Sequence, residues 1–344
     1  MFKVNEQFYS LNIIENIERL NNEKSLYSMN APDCPRLIDY VNLERLYQSL
    51  MTDIPNNITT NSLYSVIFSI DNDLTSDIVR SIQEEQILKT KLAVKKGSKF
   101  TILPSFWDVW NSNRKFRNKL ISSVEPNEAK WKLCREFGYK LATTFMPCYA
   151  MSIYNYFGCP KIVLDPCSGW GDRLLGAQVS QIEKYIGFDP NFELRPGYSE
   201  IMKVCDVYPY EVTDNFIKFT NTYEINSIPF ENNMLEDNSV DFIFTSPPFF
   251  DYEIYSDRNP KYRDWIKEFY EPFFINCSRI IKENCYVCIY LSDTSAGNIE
   301  RFITHKVPLL TNLVIQKPIG FKGIWSNEIR KIYVFKKVVR SVSF

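Results

Sequence analysis

The chain has 344 residues, of which 45% are hydrophobic and 24% charged, a composition typical of a globular protein with a sizeable core. Its formal net charge of −1 excludes a surface that is basic throughout, so any contact with nucleic acid must come from a local basic patch. No stretch approaches the roughly 20 apolar residues that span a bilayer, and the first segment lacks the apolar core of a signal peptide. We therefore expect a soluble, intracellular protein without a membrane partner.

The first hundred residues are predicted to form a mainly helical N-terminal region. Apolar residues recur with helical spacing over residues 11–26, 39–51 and 75–92. A turn-like stretch at 94–105 follows and predicts a boundary near residue 100. Residues 1–100 could serve as a target-recognition or partner module.

The remainder, residues 101–344, changes from about residue 128 to alternating helices and strands. Such alternation is typical of α/β proteins. The candidate strands are apolar almost without alternation, which indicates a parallel sheet covered on both faces. We therefore predict a Rossmann-like fold with a mostly parallel central sheet. The candidate strands are 161–165, 184–189, 240–246, 285–291 and 331–337, with helices at 173–180 and 194–205 between the first three.

A glycine-containing turn follows the first of these strands, in KIVLDPCSGWGDRLLGA. Asp165 ends the strand, Gly169 and Gly171 form the turn, and Asp172 begins a helix. The third glycine of the dinucleotide motif G-x-G-x-x-G is absent, and Asp165 would repel a pyrophosphate. A second acid, Asp189, ends the next strand, where such sites accept hydrogen bonds from ribose hydroxyls. S-adenosylmethionine, a cation with a ribose and no phosphate, fits this pattern; the alternative is an ordinary strand-to-helix turn.

The third strand ends in a second unusual stretch, TSPPFF. Prolines fix φ and supply no N–H donor, so Ser246, Pro247 and Pro248 present a stiff row of acceptors. Such a row could orient an exocyclic amine of a nucleobase, and Phe249 offers a flat face on which a flipped base can stack. The alternative is an edge turn whose aromatic side chains belong to the core.

The two stretches LDPCSGWGDRLLGA and FTSPPFFDYEIYSD together resemble motifs I and IV of the S-adenosylmethionine-dependent amino methyltransferases that act on DNA. The Ser-Pro-Pro form occurs in N4-cytosine and N6-adenine enzymes, and the longer matches resemble enzymes of phages and large DNA viruses. The resemblance covers about residues 128–344. It implies a class I methyltransferase domain, S-adenosylmethionine as cofactor and nucleic acid as partner, with DNA favoured over RNA.

The resemblance also assigns roles by position. The glycine loop would form the floor under the methionine part of the cofactor, Asp189 would hold the ribose, and Glu231 would contact the adenine ring. Position 249 is Phe where Tyr is usual, and no large target-recognition insert follows motif IV, so target choice could fall to the N-terminal region. The implied catalytic residues are Ser246, Pro247, Pro248 and Phe249, and the implied cofactor-binding residues are Phe145, Pro147, Asp165, Pro166, Cys167, Gly169, Gly171, Asp172, Asp189 and Glu231.

A basic and aromatic segment at residues 95–119 could follow a phosphate backbone. Its cationic residues are equally consistent with a solvated helix face. The candidate nucleic-acid contacts are Lys95, Lys96, Arg114, Lys115 and Arg117.

Nine cysteines and a single histidine, His305, do not supply a zinc-binding pattern, since a zinc site needs four ligands at suitable spacing. We expect no metal, and we expect buried free thiols in a reducing compartment. His305 is predicted to be a surface or loop residue. Cys167 lies in the cofactor loop and is not expected to be a catalytic nucleophile.

Three other functions stay open on the sequence. The chain could be an RNA adenine N6-methyltransferase, because the Ser-Pro-Pro-Phe loop suits any exocyclic amine. It could be a methyltransferase-like scaffold without activity, although intact acids and prolines argue against that. It could methylate glutamine or a small molecule. The motifs leave the base, the target sequence and the oligomeric state open.

Overall fold

The computed structural model describes residues 15–16, 19, 57–69, 75–96, 99–124, 126–220, 222–248, 252–255, 264–291, 298–322 and 328–339. Three residues of the predicted helix at 11–26 fall in these ranges and are helical, and the predicted helix at 39–51 lies outside them. None of the helices in the described ranges has the length and apolar character needed to cross a bilayer.

The described strands include all five that the sequence predicts. The strands are β1 (Asn57–Thr59), β2 (Val66–Ser69), β3 (Lys91–Lys96), β4 (Lys99–Ile102), β5 (Ile162–Asp165), β6 (Lys184–Phe188), β7 (Glu211–Val212), β8 (Phe216–Lys218), β9 (Tyr223–Asn226), β10 (Val240–Thr245), β11 (Glu253–Ile254), β12 (Ile281–Tyr290), β13 (Leu313–Ile315), β14 (Ile319–Lys322) and β15 (Ile329–Lys337). The helices are α1 (Thr75–Ile82), α2 (Glu84–Lys89), α3 (Phe106–Ser112), α4 (Arg114–Ile121), α5 (Pro126–Phe137), α6 (Pro147–Tyr156), α7 (Asp172–Val179), α8 (Arg195–Lys203), α9 (Glu271–Ile280), α10 (Asn298–Arg301) and α11 (Val307–Leu310).

The central sheet has the order β1-β2-β14-β15-β12-β10-β5-β6-β9-β8-β7, with β13 beside β15. Strands β9, β6, β5, β10 and β12 are parallel to their neighbours in this series. Strand β15 is antiparallel to β12 and is followed in the sheet by β14. A mostly parallel sheet of this order is the Rossmann-like class I methyltransferase fold, as the sequence predicts.

Helices cover both faces of this sheet, which explains why its strands are apolar almost without alternation. Alternate residues belong to two different core clusters: Val163 and Phe242 pack on one face, and Leu164 and Ile243 on the other. The first face is covered by α1, α6, α7 and α8, and the second by α9 and the helical segment Phe302–Leu310.

Two strands of the N-terminal region belong to this central sheet. The sequence instead predicts a boundary between two parts of the chain near residue 100. Strand β2 is parallel to β14, and β1 pairs with β2 at the sheet edge. The predicted helix at 75–92 is two helices that meet at Gln83 and end at Lys89. The turn-like stretch at 94–105 belongs to a hairpin, since β3 and β4 pair with each other and β3 also pairs with β11.

Helices α3–α5 pack around a core of their own. Phe106, Trp110, Phe116 and Tyr139 are buried together in it. Helix α3 begins with a capping box, in which the hydroxyl of Ser105 accepts from the Asp108 amide and the Asp108 carboxylate accepts from the Ser105 amide. The basic and aromatic segment of the sequence, residues 95–119, therefore begins in the β3–β4 hairpin and continues into this small helical unit.

Candidate functional site

The candidate site lies at the carboxyl ends of β5 and β10, where the strand order reverses. The chain runs from β5 to β6 and β9 on one side, and from β10 to β12 on the other. In open α/β sheets, ligands bind in the crevice at such a reversal. Leu164 of β5 pairs with Ile243 of β10, so the loops that follow these strands leave the sheet side by side.

The loop after β5 depends on three glycines. Gly169 and Gly171 have φ values of 55° and 97°, a region that residues with a Cβ rarely adopt. A Cβ on Gly171 would also lie 2.7 Å from Cδ1 of Ile201 in α8. Gly187 in β6 makes room for the loop, because a Cβ there would lie 2.4 Å from Oγ of Ser168. The sequence motif identifies Gly169 and Gly171 as loop residues. Nothing in the sequence around Gly187 indicates its role.

Asp165, the acid before this loop, is completely buried. Its Oδ2 accepts hydrogen bonds from Nε of Arg173 at 2.8 Å and from the Tyr185 hydroxyl at 2.7 Å. Burial lowers the pKa of Arg173, but the nearby Asp165 carboxylate raises it, and the net shift is upward. Asp165 is therefore not the free negative charge that its position in the sequence suggests for attracting a cationic ligand, because Arg173 already neutralises this carboxylate.

Arg173 links the glycine loop to the core beneath it. Its Nη2 donates to the carbonyl oxygen of Cys167. Its guanidinium carbon lies 5.9 Å from the ring centre of Phe145 and 6.0 Å from that of Phe244. Phe145, which the resemblance assigns to the cofactor site, is therefore half-buried beside this guanidinium.

Asp189, just after the end of β6, holds the glycine loop from the other side. Its Oδ2 accepts from the Gly169 amide at 2.9 Å, and its Oδ1 accepts from the Asn191 amide at 2.9 Å. Burial raises its pKa to about 7, although these two hydrogen bonds act in the opposite direction. Each carboxylate oxygen has a second acceptor position, so Asp189 can still bind a ligand hydroxyl.

The last residue of β10, which leads into the Ser-Pro-Pro segment, is joined to the glycine loop by a direct hydrogen bond. Oγ1 of Thr245 accepts from the Cys167 amide at 3.0 Å. Thr245 is fully buried and immediately precedes Ser246. The two motifs that the sequence singles out therefore lie together at one edge of the sheet.

Within the Ser-Pro-Pro segment, the residues have different environments. Pro247 is buried, while Ser246 and Pro248 are half-buried. The Tyr270 hydroxyl donates to the carbonyl oxygen of Pro248 at 2.8 Å and fixes the end of the segment. Within the described part of the chain, the Ser246 hydroxyl makes no hydrogen bond. Phe249 lies outside the described residues.

Cys167 is not an activated nucleophile. Burial and the negative charges of Asp165, Asp189 and Glu231 hold the pKa of its thiol well above the ordinary value. Glu231 lies half-buried in the helical turn Phe230–Asn232 that follows β9.

Three other predicted site residues support the loop. Pro147 is buried at the first position of α6. Pro166 and Asp172 are buried at the beginning and the end of the glycine loop. The sequence prediction of their role in cofactor binding stays a prediction.

Several residues that the sequence does not single out cover the outer side of the glycine loop. Trp170 packs edge-on against Tyr255, with ring centres 5.6 Å apart. The Tyr255 hydroxyl donates to the carboxylate of Glu253, whose pKa is raised by burial. Nε2 of Gln83, between α1 and α2, donates to the Trp170 carbonyl oxygen at 3.2 Å. Residues far apart in sequence thus enclose the loop.

The predicted nucleic-acid contacts have unequal environments. Arg114 and Lys115 are exposed on α4. Arg117 is half-buried, and its Nη1 donates to the last carbonyl oxygens of α3, at 2.7 and 3.1 Å, so it caps that helix. The side chains of Lys95 and Lys96 lie outside the described residues.

His305 is exposed, as predicted, but it lies in a helical turn rather than a loop. Its Nδ1 lies 2.7 Å from the Thr304 hydroxyl. The eight cysteines in the described part of the chain are free thiols, and four of them are buried.

No protein-family model matches the sequence, and no curated protein matches it either. Similar solved structures include a proposed RNA methyltransferase from Pyrococcus horikoshii, with 16% identity, a TM-score of 0.40, and coverage of 57% of this chain and 83% of that chain. An S-adenosylmethionine-dependent methyltransferase from Aquifex aeolicus has 15% identity, a TM-score of 0.37, and coverage of 55% and 89%. The 1,6-didemethyltoxoflavin-N1-methyltransferase of Burkholderia thailandensis, with bound S-adenosylhomocysteine, has 10% identity, a TM-score of 0.38, and coverage of 56% and 77%. Similarity of this degree concerns the fold, whose assignment rests on the strand order described above.

Proposed function

We propose that the chain transfers a methyl group from S-adenosylmethionine to an exocyclic amino group of a nucleobase in DNA, at N4 of cytosine or N6 of adenine. The observation that carries this proposal is the junction of the two motifs at the reversal of strand order. The hydrogen bond from the Cys167 amide to Thr245 joins the loop suited to a nucleoside ligand to the loop suited to an amine.

The glycine loop and its acids fit S-adenosylmethionine. Positive φ values at Gly169 and Gly171 keep this loop in a tight turn directly after β5. Asp189 offers two acceptors for ribose hydroxyls, and Glu231 offers an acceptor for the adenine amine. A surplus of carboxylates suits a cationic nucleoside better than a pyrophosphate. The ligand supplies an electrophilic methyl group; the protein residues bind and orient it.

The Ser-Pro-Pro segment would hold the amine. The Ser246 hydroxyl and the carbonyl oxygens of Ser246 and Pro247 accept hydrogen bonds from the two N–H groups, and this leaves the nitrogen lone pair directed at the methyl group. Transfer would form the N–C bond as the S–C bond breaks, S-adenosylhomocysteine would leave with the bonding electrons, and the extra proton on nitrogen would pass to solvent. Both prolines and the Tyr270 hydrogen bond to Pro248 keep this geometry stiff. Catalysis then comes from orientation and polarisation, without a protein nucleophile. Phe249 would stack on the base.

Incubation with methyl-labelled S-adenosylmethionine and a mixture of DNA and RNA tests this proposal. After digestion to nucleosides, mass spectrometry should find label on N4-methylcytosine or N6-methyladenine from DNA, with Ser246→Ala forming it about 10- to 100-fold more slowly. If label appeared only in RNA, the substrate would be RNA and the proposal of a DNA substrate would be wrong. Tight cofactor binding without any labelled nucleoside would contradict the proposal and favour a scaffold or another amine substrate.

A further inference from the structure

The helical unit of α3–α5 differs in charge from the rest of the protein. Residues 106–140 contain eight Lys or Arg and four Asp or Glu, a local charge of +4, whereas the whole chain has −1. The remaining residues therefore sum to −5. A local cationic surface on an acidic protein is the electrostatic signature of an anionic partner such as a phosphate backbone.

Cations outnumber acids at the contact between α4 and α5. Nζ of Lys119 lies 2.6 Å from the carboxylate of Glu136, and Nζ of Lys115, one turn earlier, lies 3.4 Å from it. These lysines lower the pKa of Glu136. Two lysines share one exposed carboxylate, so a positive charge remains at this contact. Arg114, exposed beside Lys115, has no ion pair within the described part of the chain.

Helix α5 adds an exposed aromatic ring to this charge. Trp131 is 49% exposed, and Nζ of Lys130 lies 5.8 Å from its ring centre. Arg135 follows one turn later on the same face of the helix, exposed and without an ion pair in the described ranges. Because Lys130 itself is buried, Arg135 is the cation beside Trp131 that can contact a phosphate. An exposed aromatic ring next to an exposed cation can bind an unpaired base by stacking while the cation contacts the strand.

The helical unit is connected to the proposed catalytic loop. Strand β11 begins five positions after Pro248 and pairs with β3 through Glu253 and Leu92. Strand β3 pairs in turn with β4, which leads directly into α3. Nζ of Lys91 in β3 also lies 3.2 Å from the Asp108 carboxylate of α3. The chain that follows the Ser-Pro-Pro segment is therefore linked to the helical unit through the paired strands β11, β3 and β4.

We propose that the exposed face of α4 and α5 is the docking surface for a nucleic-acid strand with unpaired bases, with Trp131 stacking on a base and Arg114 and Arg135 contacting phosphates. This inference rests on the proposed function and extends it, since the sequence assigns no role to α5. Arg117 caps α3 and is therefore not one of the proposed phosphate contacts, whereas Arg135 is.

The test measures binding of short fluorescent oligonucleotides to the full chain by anisotropy, without cofactor, between about 50 and 200 mM salt. Arg135→Glu and Arg114→Glu should each weaken binding and reduce the magnitude of the salt slope for single strands by about 0.7. Trp131→Ala should lower single-strand affinity at least about fivefold and leave the slope unchanged.

Lys161→Glu is the matched control, because its side chain is 73% exposed at the opposite, amino end of β5, where it pairs with Glu183. Affinities of Arg135→Glu and Trp131→Ala equal to that of Lys161→Glu would overturn the docking surface. Titration with S-adenosylmethionine distinguishes failure of the docking surface from failure of the proposed methyltransferase activity. Unchanged cofactor binding with unchanged oligonucleotide binding rejects this surface alone. Variant-sensitive oligonucleotide binding without methyl transfer upholds the surface and rejects the proposed activity.

Discussion

The buried pair of Asp165 and Arg173 provides the sharpest stability prediction. Arg173→Met would leave the Asp165 carboxylate completely buried, with only the Tyr185 hydroxyl as a side-chain donor. Removal of one partner from a buried ion pair typically costs about 3–5 kcal/mol, because the remaining charge stays out of water. The change also removes the hydrogen bond to the Cys167 carbonyl oxygen. We therefore expect a loss near the upper end of that range.

The double variant distinguishes a charge effect from a simple loss of contacts. Asp165→Asn alone leaves the Arg173 guanidinium buried without its carboxylate, and it should cost about 3–5 kcal/mol for the same reason. Asp165→Asn together with Arg173→Met buries no charge. Its cost should be smaller than the sum of the two single losses by at least about 2 kcal/mol.

Urea unfolding at pH 7, followed by tryptophan fluorescence and circular dichroism, measures these free energies of unfolding. Coincident transitions in the two signals are needed for the comparison. Lys161→Glu, which changes an exposed ion pair, should stay within about 0.5 kcal/mol of the parent protein. Additivity of the two single variants within about 0.5 kcal/mol would refute the energetic coupling of Asp165 and Arg173.

Three further predictions concern the site. Thr245→Val removes the nearer acceptor of the Cys167 amide, at 3.0 Å, and leaves only Oδ1 of Asp165 at 3.4 Å. It should raise the Kd for S-adenosylmethionine about five- to tenfold in a calorimetric titration; an unchanged Kd would show that the hydrogen bond to Thr245 does not shape the loop. Ser246→Ala should lower kcat about 10- to 100-fold while the cofactor Kd stays constant, and parallel loss of both would reject its role toward the amine. Because an ionised Asp189 carboxylate accepts ribose hydroxyls more strongly than the protonated acid and burial raises its pKa to about 7, cofactor affinity should fall by up to about tenfold from pH 8 to pH 6. Asp189→Asn should flatten that part of the profile, and an identical profile in the variant would exclude Asp189 as its origin.

The sequence predicts the central sheet well because its strands are buried on both faces and therefore read as continuous apolar runs. The strands that end at Asp165, just before Asp189 and at Thr245 are found as expected. The two loops are also found, since glycine and proline have local conformational consequences that are legible from sequence alone.

The partners of these residues could not be predicted, because they come from distant parts of the chain. Tyr185 and Arg173 become neighbours of Asp165 only when β6 and α7 pack against β5. The need for glycine at position 187 arises mainly from Ser168, which packs against it from the glycine loop. The amphipathic pattern likewise gives no indication that Arg117 caps α3 rather than facing solvent.

Short edge strands were missed for a related reason. Strands β1 and β2 contain only three and four residues, and their place in the sheet is set by β14, more than 200 positions later. The lysines of β3 and β4 reduce the apolar alternation by which a strand is recognised, although the hairpin carries the connection to β11.

The central claim is that a nucleoside methyl donor and a nucleobase amine meet between the glycine loop and the Ser-Pro-Pro segment. A crystal structure of the protein with S-adenosylhomocysteine tests this most directly. We predict that the ribose hydroxyls donate hydrogen bonds to the carboxylate of Asp189 and that the ligand sulfur faces the hydroxyl of Ser246. A ligand bound away from Asp189, or a sulfur directed away from Ser246, would contradict the account.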